Sequence, residues 1–117
     1  MNRSTQEVFE DHLHLAAIDD LETDIKRNHS EEVVLLTSFG VFRGHAGVRE
    51  AADLLAHQVP GAHYIYRTRL THEEMAFLEW SATSEQARVE DGADSFLIRH
   101  GRIQMMTIHY TVIEKGH

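Results

Sequence analysis

The 117-residue chain has no cysteine, which excludes disulfide staples, thiolate nucleophiles and cysteine-ligated metals together. Proline occurs once, at Pro60, so composition bars almost no segment from regular structure. No window approaches eighteen consecutive apolar residues, and Met1-Asn2-Arg3 leads into a polar start. Neither a membrane span nor a signal peptide is expected, and the cytoplasm is the expected compartment. Basic residues are few: 11 Lys and Arg against 19 Asp and Glu leave a net charge of −8 with histidines neutral. Phosphate binding needs a basic patch, so nucleic acid and anionic membranes are not expected partners.

What is present is one domain's worth of periodic sequence. Ser4-Thr5-Gln6-Glu7 has capping-box spacing, and the helix it opens runs to about Ala17 with Val8, Phe9, Leu13, Leu15 and Ala16 as an apolar stripe. Leu21 to about Asn28 is a short second helix in which Leu21 and Ile25 are the buried positions. Glu32–Ser38 is an apolar strand, Gly40 allows a turn, and Val41-Phe42-Arg43 returns beside it. Gly44–Ala56 is a third helix with Val48, Ala51, Ala52 and Leu55 at helical spacing. Everything after Pro60-Gly61 is strand: His63–Leu70, Met75–Thr83, Ala87–Arg99 and a last strand reaching Val112.

Side chains alternate along a strand, so each strand divides into two faces. Tyr64, Tyr66, Thr68 and Leu70 share one, as do Ala76, Leu78, Trp80 and Ala82. A turn at His100-Gly101 joins the last two strands. On the final one Gln104, Met106, Ile108, Tyr110 and Val112 form the inner set. Three helices followed by a meander of long strands imply an α+β fold, with a strongly curved, mostly antiparallel sheet rolled round the helices and a pocket between them.

Several stretches resemble the nuclear transport factor 2-like superfamily, the cone-shaped α+β barrels that include SnoaL-like cyclases and ketosteroid isomerases. They are Asp20-Leu21-Glu22, Ser30-Glu31-Glu32-Val33-Val34, Gly44-His45-Ala46-Gly47-Val48-Arg49-Glu50, Asp94-Ser95-Phe96 and His100-Gly101-Arg102-Ile103-Gln104. In order and spacing they span a single domain, roughly residues 5–113. The resemblance implies that Asp94 stands where ketosteroid isomerases place the acid facing the developing oxyanion, and His12 where they place a pocket tyrosine. The position of their catalytic base reads Thr37, or Ser38 one residue on, and no hydroxyl serves as that base. A standard ketosteroid isomerase is therefore not expected. The Arg-x-Asp pattern of limonene epoxide hydrolases also fails, because Gly92 precedes Asp94 by two.

The candidate catalytic residues are Asp94 and His12. A carboxyl in an apolar cavity is driven toward its neutral form, and an imidazole titrates near neutrality, so the two can exchange protons with a substrate. Each also has a plain reading, Asp94 as a solvated rim residue and His12 as a satisfied core histidine. Trp80, Tyr110, Met106, Leu78, Thr37, Phe42 and Ile108 are the candidate lining, with Tyr110 offering a hydroxyl. No metal is expected, since His12 and His14 diverge on a helix and His57, His72 and His117 read as surface residues. No cofactor is expected either. Ile65, Leu97, Met105 and His109 point to the other face of the sheet, where a homodimer is expected. The functional expectation is an isomerase-, cyclase- or dehydratase-type enzyme acting on a small apolar carbonyl compound. The alternatives are a non-catalytic binder of a small hydrophobic molecule and a dimeric association module.

Overall fold

In a computed structural model, which describes residues 3–116, the chain opens on helix α1 (Thr5–Ala17). Its capping box forms as the spacing predicts: Ser4 Oγ accepts the Glu7 N–H at 3.1 Å, and Glu7 Oε1 accepts the Ser4 N–H at 2.8 Å. Val8, Phe9, Leu13 and Leu15 are its buried side chains. Helix α2 (Leu21–Asn28) is capped by Asp20. Its buried face differs from the expectation of Leu21 and Ile25 alone. Asp24, Ile25 and Asn28 are buried, while Leu21 is half-buried.

Strand β1 (His29–Thr37) follows at once, three residues earlier than its apolar run suggests. Strand β2 (Gly40–Arg43), helix α3 (Gly44–Gln58), β3 (His63–His72), β4 (Met75–Thr83), β5 (Ala87–Arg99) and β6 (Arg102–His109) come next. A short β7 (Ile113–Glu114), invisible in the pattern, pairs with β5. His100 and Gly101 both adopt positive φ, 57° and 72°, the geometry of a type I′ hairpin turn.

The sheet runs β2-β1-β6-β5-β4-β3, antiparallel throughout except for β1 beside β6. It curves without closing, and the three helices cover its inner face. Register shifts supply the curvature, since an extra residue on one strand bends the pair. They fall between Tyr66 and Thr68 on β3, between Trp80 and Ala82 where β5 carries the extra residue, and between Leu97 and Ile98 where β6 does.

Each bulge also reverses the alternation beyond it, which corrects two faces. Past Tyr66, Arg69 stands opposite Leu78 and Leu70 opposite Phe77. Thr68 and Leu70 thus leave the inner face, and Leu70 is 60% exposed. On β6, Ile103 pairs with Ile98 and Met106 with Phe96, so Ile103 takes the inner place expected of Gln104. The core is the inner face of the sheet packed on the helices. Phe9 and Phe96 meet edge-to-face at 5.2 Å in its middle. Among the described residues no helix is long and apolar enough to cross a membrane.

Candidate functional site

Between the helices and the inner face lies a cavity of about 340 Å³. All nine candidate residues of the sequence line it: Asp94, His12, Trp80, Tyr110, Met106, Leu78, Thr37, Phe42 and Ile108. Ser38, the alternative to Thr37, lies outside it in a second pocket. The Thr37 hydroxyl is engaged in the β1–β2 turn, accepting from Phe39 N–H at 2.9 Å and donating to Gly40 O at 3.1 Å.

Asp94 comes to the cavity from β5, opposite Leu78 on one side and Ile108 on the other. Its Oδ1 accepts the Trp80 indole N–H at 3.0 Å. Trp80 reaches it by crossing Gly92, the residue directly opposite it on β5, where a Cβ would overlap the indole carbons. Glycine at that position is what allows the ring to lie there. Burial pushes the Asp94 carboxyl up to about 6, while the Trp80 hydrogen bond and the charge of His12 hold it back.

His12 approaches from α1. Its Nδ1 faces Asp24 Oδ2 at 2.8 Å, which leaves Nε2 for the cavity. Asp24 is the functional residue that the sequence reading missed. It is fixed by a chain of donors: Asn28 Nδ2 reaches Asp24 Oδ1 at 2.9 Å, and Arg3 reaches Asn28 Oδ1 at 2.7 Å. Arg3 also bonds the carbonyls of Arg27 and Gly101, tying α2 to the β5–β6 turn. The signal was present in the helix period, because Leu21, Asp24, Ile25 and Asn28 form one stripe of α2. Counting only apolar members hid the two polar ones.

Burial alone would lower the His12 imidazole, but the charge and hydrogen bond of Asp24 outweigh it and the pKa rises. Burial would likewise raise Asp24, yet its contacts with His12, and then His29, hold it well below the usual carboxylate range. Asp24 therefore favours the imidazolium form of His12, and His12 the carboxylate form of Asp24.

His29, at the start of β1, is 1% exposed and lies 3.4 Å from Asp24 Oδ2 through Nε2. The approach is off-line, and neither ring nitrogen has a hydrogen-bond partner within the described residues. Its pKa is lowered, chiefly by burial, so this second imidazole is neutral. His12, Asp24 and His29 bring one donor atom each within 4.8 Å of one another. Spacing along the chain carries no sign of this trio, whose members come from three different elements. Two imidazoles and a carboxylate would also suit a divalent ion, but here the short His12–Asp24 contact is a hydrogen bond.

The mouth is aromatic. Trp80 packs on Tyr64 at 5.8 Å and on Tyr110 at 5.5 Å, and Phe39 covers Tyr110 at 5.2 Å. The Tyr110 hydroxyl donates to Gln58 Oε1 at 2.6 Å, and burial, then Tyr64 and Asp94, push its pKa to about 12. Of the residues expected on the outer face, Ile65 and Met105 are about half exposed at 51% and 46%. His109 is exposed and Leu97 half-buried. His57 and His72 are exposed as expected, and His117 lies outside the described residues.

Searches by sequence return no matching family model and no matching curated protein. Solved structures do match. An NTF2-like protein of unknown function from Cytophaga hutchinsonii superposes with a TM-score of 0.73 at 12% identity, covering 95% of this chain and 93% of that one. A proposed SnoaL-like polyketide cyclase from Mesorhizobium loti gives 0.67 at 13% identity, covering 92% and 100%. The chain has the nuclear transport factor 2-like fold. A de novo design with a curved β-sheet reaches 0.75 at 17% identity, covering 95% and 88%. A designed chain thus shares the NTF2-like shape with proteins named as SnoaL-like, so the shape alone carries no activity. Function has to be argued from the cavity.

Proposed function

We propose that the chain is a cofactor-independent acid–base enzyme that moves a proton on a small, mostly apolar carbonyl compound, in an isomerisation, cyclisation or dehydration. One observation carries this reading. Asp94, held by Trp80, and His12, held by Asp24, reach the same cavity from the sheet and from the helix layer. Their environments push the two groups toward different tasks, as acid–base catalysis requires.

Near neutral pH the Asp94 carboxyl is mostly ionised, since it titrates at about 6, and the Asp24 carboxylate raises the pKa of His12 and so favours its protonated form. Asp94 is then the base and His12 the donor, the reverse of a neutral acid at Asp94. The carboxylate takes a proton from the carbon next to the carbonyl. The C–H electron pair moves into an enolate, and the oxygen accepts a hydrogen bond from His12 Nε2–H. Where a double bond lies β,γ to the carbonyl the enolate is a dienolate, and return of the proton to its γ carbon completes an isomerisation with no net gain or loss of electrons.

The test is deuterium exchange. The full chain is incubated in D2O with small alicyclic ketones and α-deuteration is followed by proton NMR. Exchange faster than buffer is expected for the wild type, with Asp94→Asn and His12→Gln each slower by about a hundredfold or more. An Asp94→Asn chain exchanging as fast as the wild type would sink the reading. A 3-keto-Δ5-steroid should not be turned over at an enzymatic rate, because Thr37 stands where that reaction needs a carboxylate.

The outer face supports pairing of two copies. The register lines up Val34, Met105, Leu97 and Met75 in one row across β1, β6, β5 and β4. Leu70 and Phe77 stand opposite each other in the next row. Met75 and Leu70 are 63% and 60% exposed, and exposed apolar side chains gathered on one face favour a partner.

A further inference from the structure

The cavity is lined by four carboxylates, Asp19, Asp24, Asp53 and Asp94, and by no lysine or arginine. Asp24 is committed to His12. None of the other three makes an ion pair within the described residues. Asp94 has a neutral donor, Trp80, while Asp19 and Asp53 are exposed and mark the rim.

The same cavity carries a continuous aromatic belt, which touches Asp94 through Trp80. It runs from Tyr64 through buried Trp80 and then Tyr110 to Phe39, which is 45% exposed. Ring faces are electron-rich and attract cations, more strongly where water is excluded. Tyr66, which also lines the cavity, has a cation against its ring from outside: the Arg69 guanidinium lies 5.5 Å from its centroid. That arginine is also bonded to Glu10, and it is not part of the cavity lining.

We propose that the cavity selects a ligand bearing a cationic amine on an apolar frame and rejects an anion of the same shape. This deepens the acid–base reading by naming a property of its substrate, and it rests on that reading only in taking this cavity as the ligand site. An ammonium group against the aromatic belt meets the ring faces together with the field of Asp94 and of the rim acids Asp19 and Asp53, without occupying the carboxylate that takes the proton. It approaches a molecule of net charge −8, which favours encounter with cations. A carboxylate ligand meets three acids without ion-pair partners within the described residues, and one imidazole already bonded to Asp24.

The experiment is a calorimetric titration of the full chain, near neutral pH, with three molecules on one frame: phenylbutylamine, phenylbutanol and phenylbutanoate. The amine is expected to bind about tenfold or more tightly than the alcohol, and the carboxylate more weakly than the alcohol. Trp80 is the only tryptophan, so its emission must change as the amine binds. Asp94→Asn should bring amine and alcohol to within about threefold of each other. The double variant Asp19→Asn/Asp53→Asn, altered only at the exposed rim, should lose part of the salt dependence of amine binding.

An alcohol or carboxylate that binds as tightly as the amine overturns the proposal. So does amine binding that leaves Trp80 emission unmoved, or the absence of binding by all three. Amine selectivity without ketone deuteration would sink the acid–base reading and leave this one standing. Deuteration without amine selectivity would do the reverse.

Discussion

The Trp80 indole covers Gly92 and donates its N–H to Asp94, two residues further along β5, at 3.0 Å. Gly92 is thus the seat of the ring, and through the ring it orients the carboxylate. Gly92→Ala would force the indole off the strand. The expected loss is about 1–3 kcal/mol of stability from overpacking, together with a red shift of tryptophan emission as the ring meets water. Urea unfolding of the variant checks both. Unchanged stability and emission would show that Trp80 does not need that space.

Asp94 lowers the stability of the fold where it is ionised. Its folded pKa is about 6 against an ordinary 3.8, so between those values the folded chain holds a proton that the unfolded chain has released. Stability contributed by the protonated form is present below 3.8 and is lost as pH rises toward about 6. Asp94→Asn should therefore be more stable than the wild type above that window, by roughly 1–3 kcal/mol, with the gap closing in acid. Melting temperatures across the pH range decide it, and a gap of constant size at all pH would rule out the burial of an ionised carboxyl as its cause.

The Asp24–His12 pair should set the alkaline limit of activity. His12 has a raised pKa, so its contribution to stability is complete below 6.5 and is lost as pH rises through the folded value. Asp24 is depressed, so its contribution is present above 3.8 and is lost as pH falls below that. Asp24→Asn removes the main group that holds the proton on His12. The expected result is a destabilisation of about 3–5 kcal/mol and a lower pKa for the His12 ring by NMR. The alkaline limb of the exchange rate should move to lower pH, which a purely structural role would leave in place.

Pairing of two copies through the outer face predicts a dimer in light scattering of the full chain. Met105→Glu, near the centre of the apolar row, should give a monomer with its fold intact by circular dichroism. A wild-type monomer at all concentrations would remove the proposed interface.

Much of this was legible locally. The Ser4–Glu7 cap, the His100-Gly101 turn and the inner face of β4 follow from rules acting over a few residues, and each appears where expected. The length of β1 did not, because α2 passes into it at His29 without a glycine or proline to mark the change. The fates of Gln104 and Leu70 were also hidden. A bulge is an accommodation between two strands, and a period of two read along one strand carries no sign of it.

The amino-acid order by itself determined the three helices, the strands other than β7 and the start of β1, the hairpin and the residue types available for chemistry, because caps, turns and alternation are short-range effects. Only the tertiary structure decided that Asp24 meets His12, that Gly92 lies under Trp80, and that Asp94 titrates at about 6. Those facts depend on which distant segments exclude water from one another, and a carboxyl's affinity for its proton is set by that exclusion.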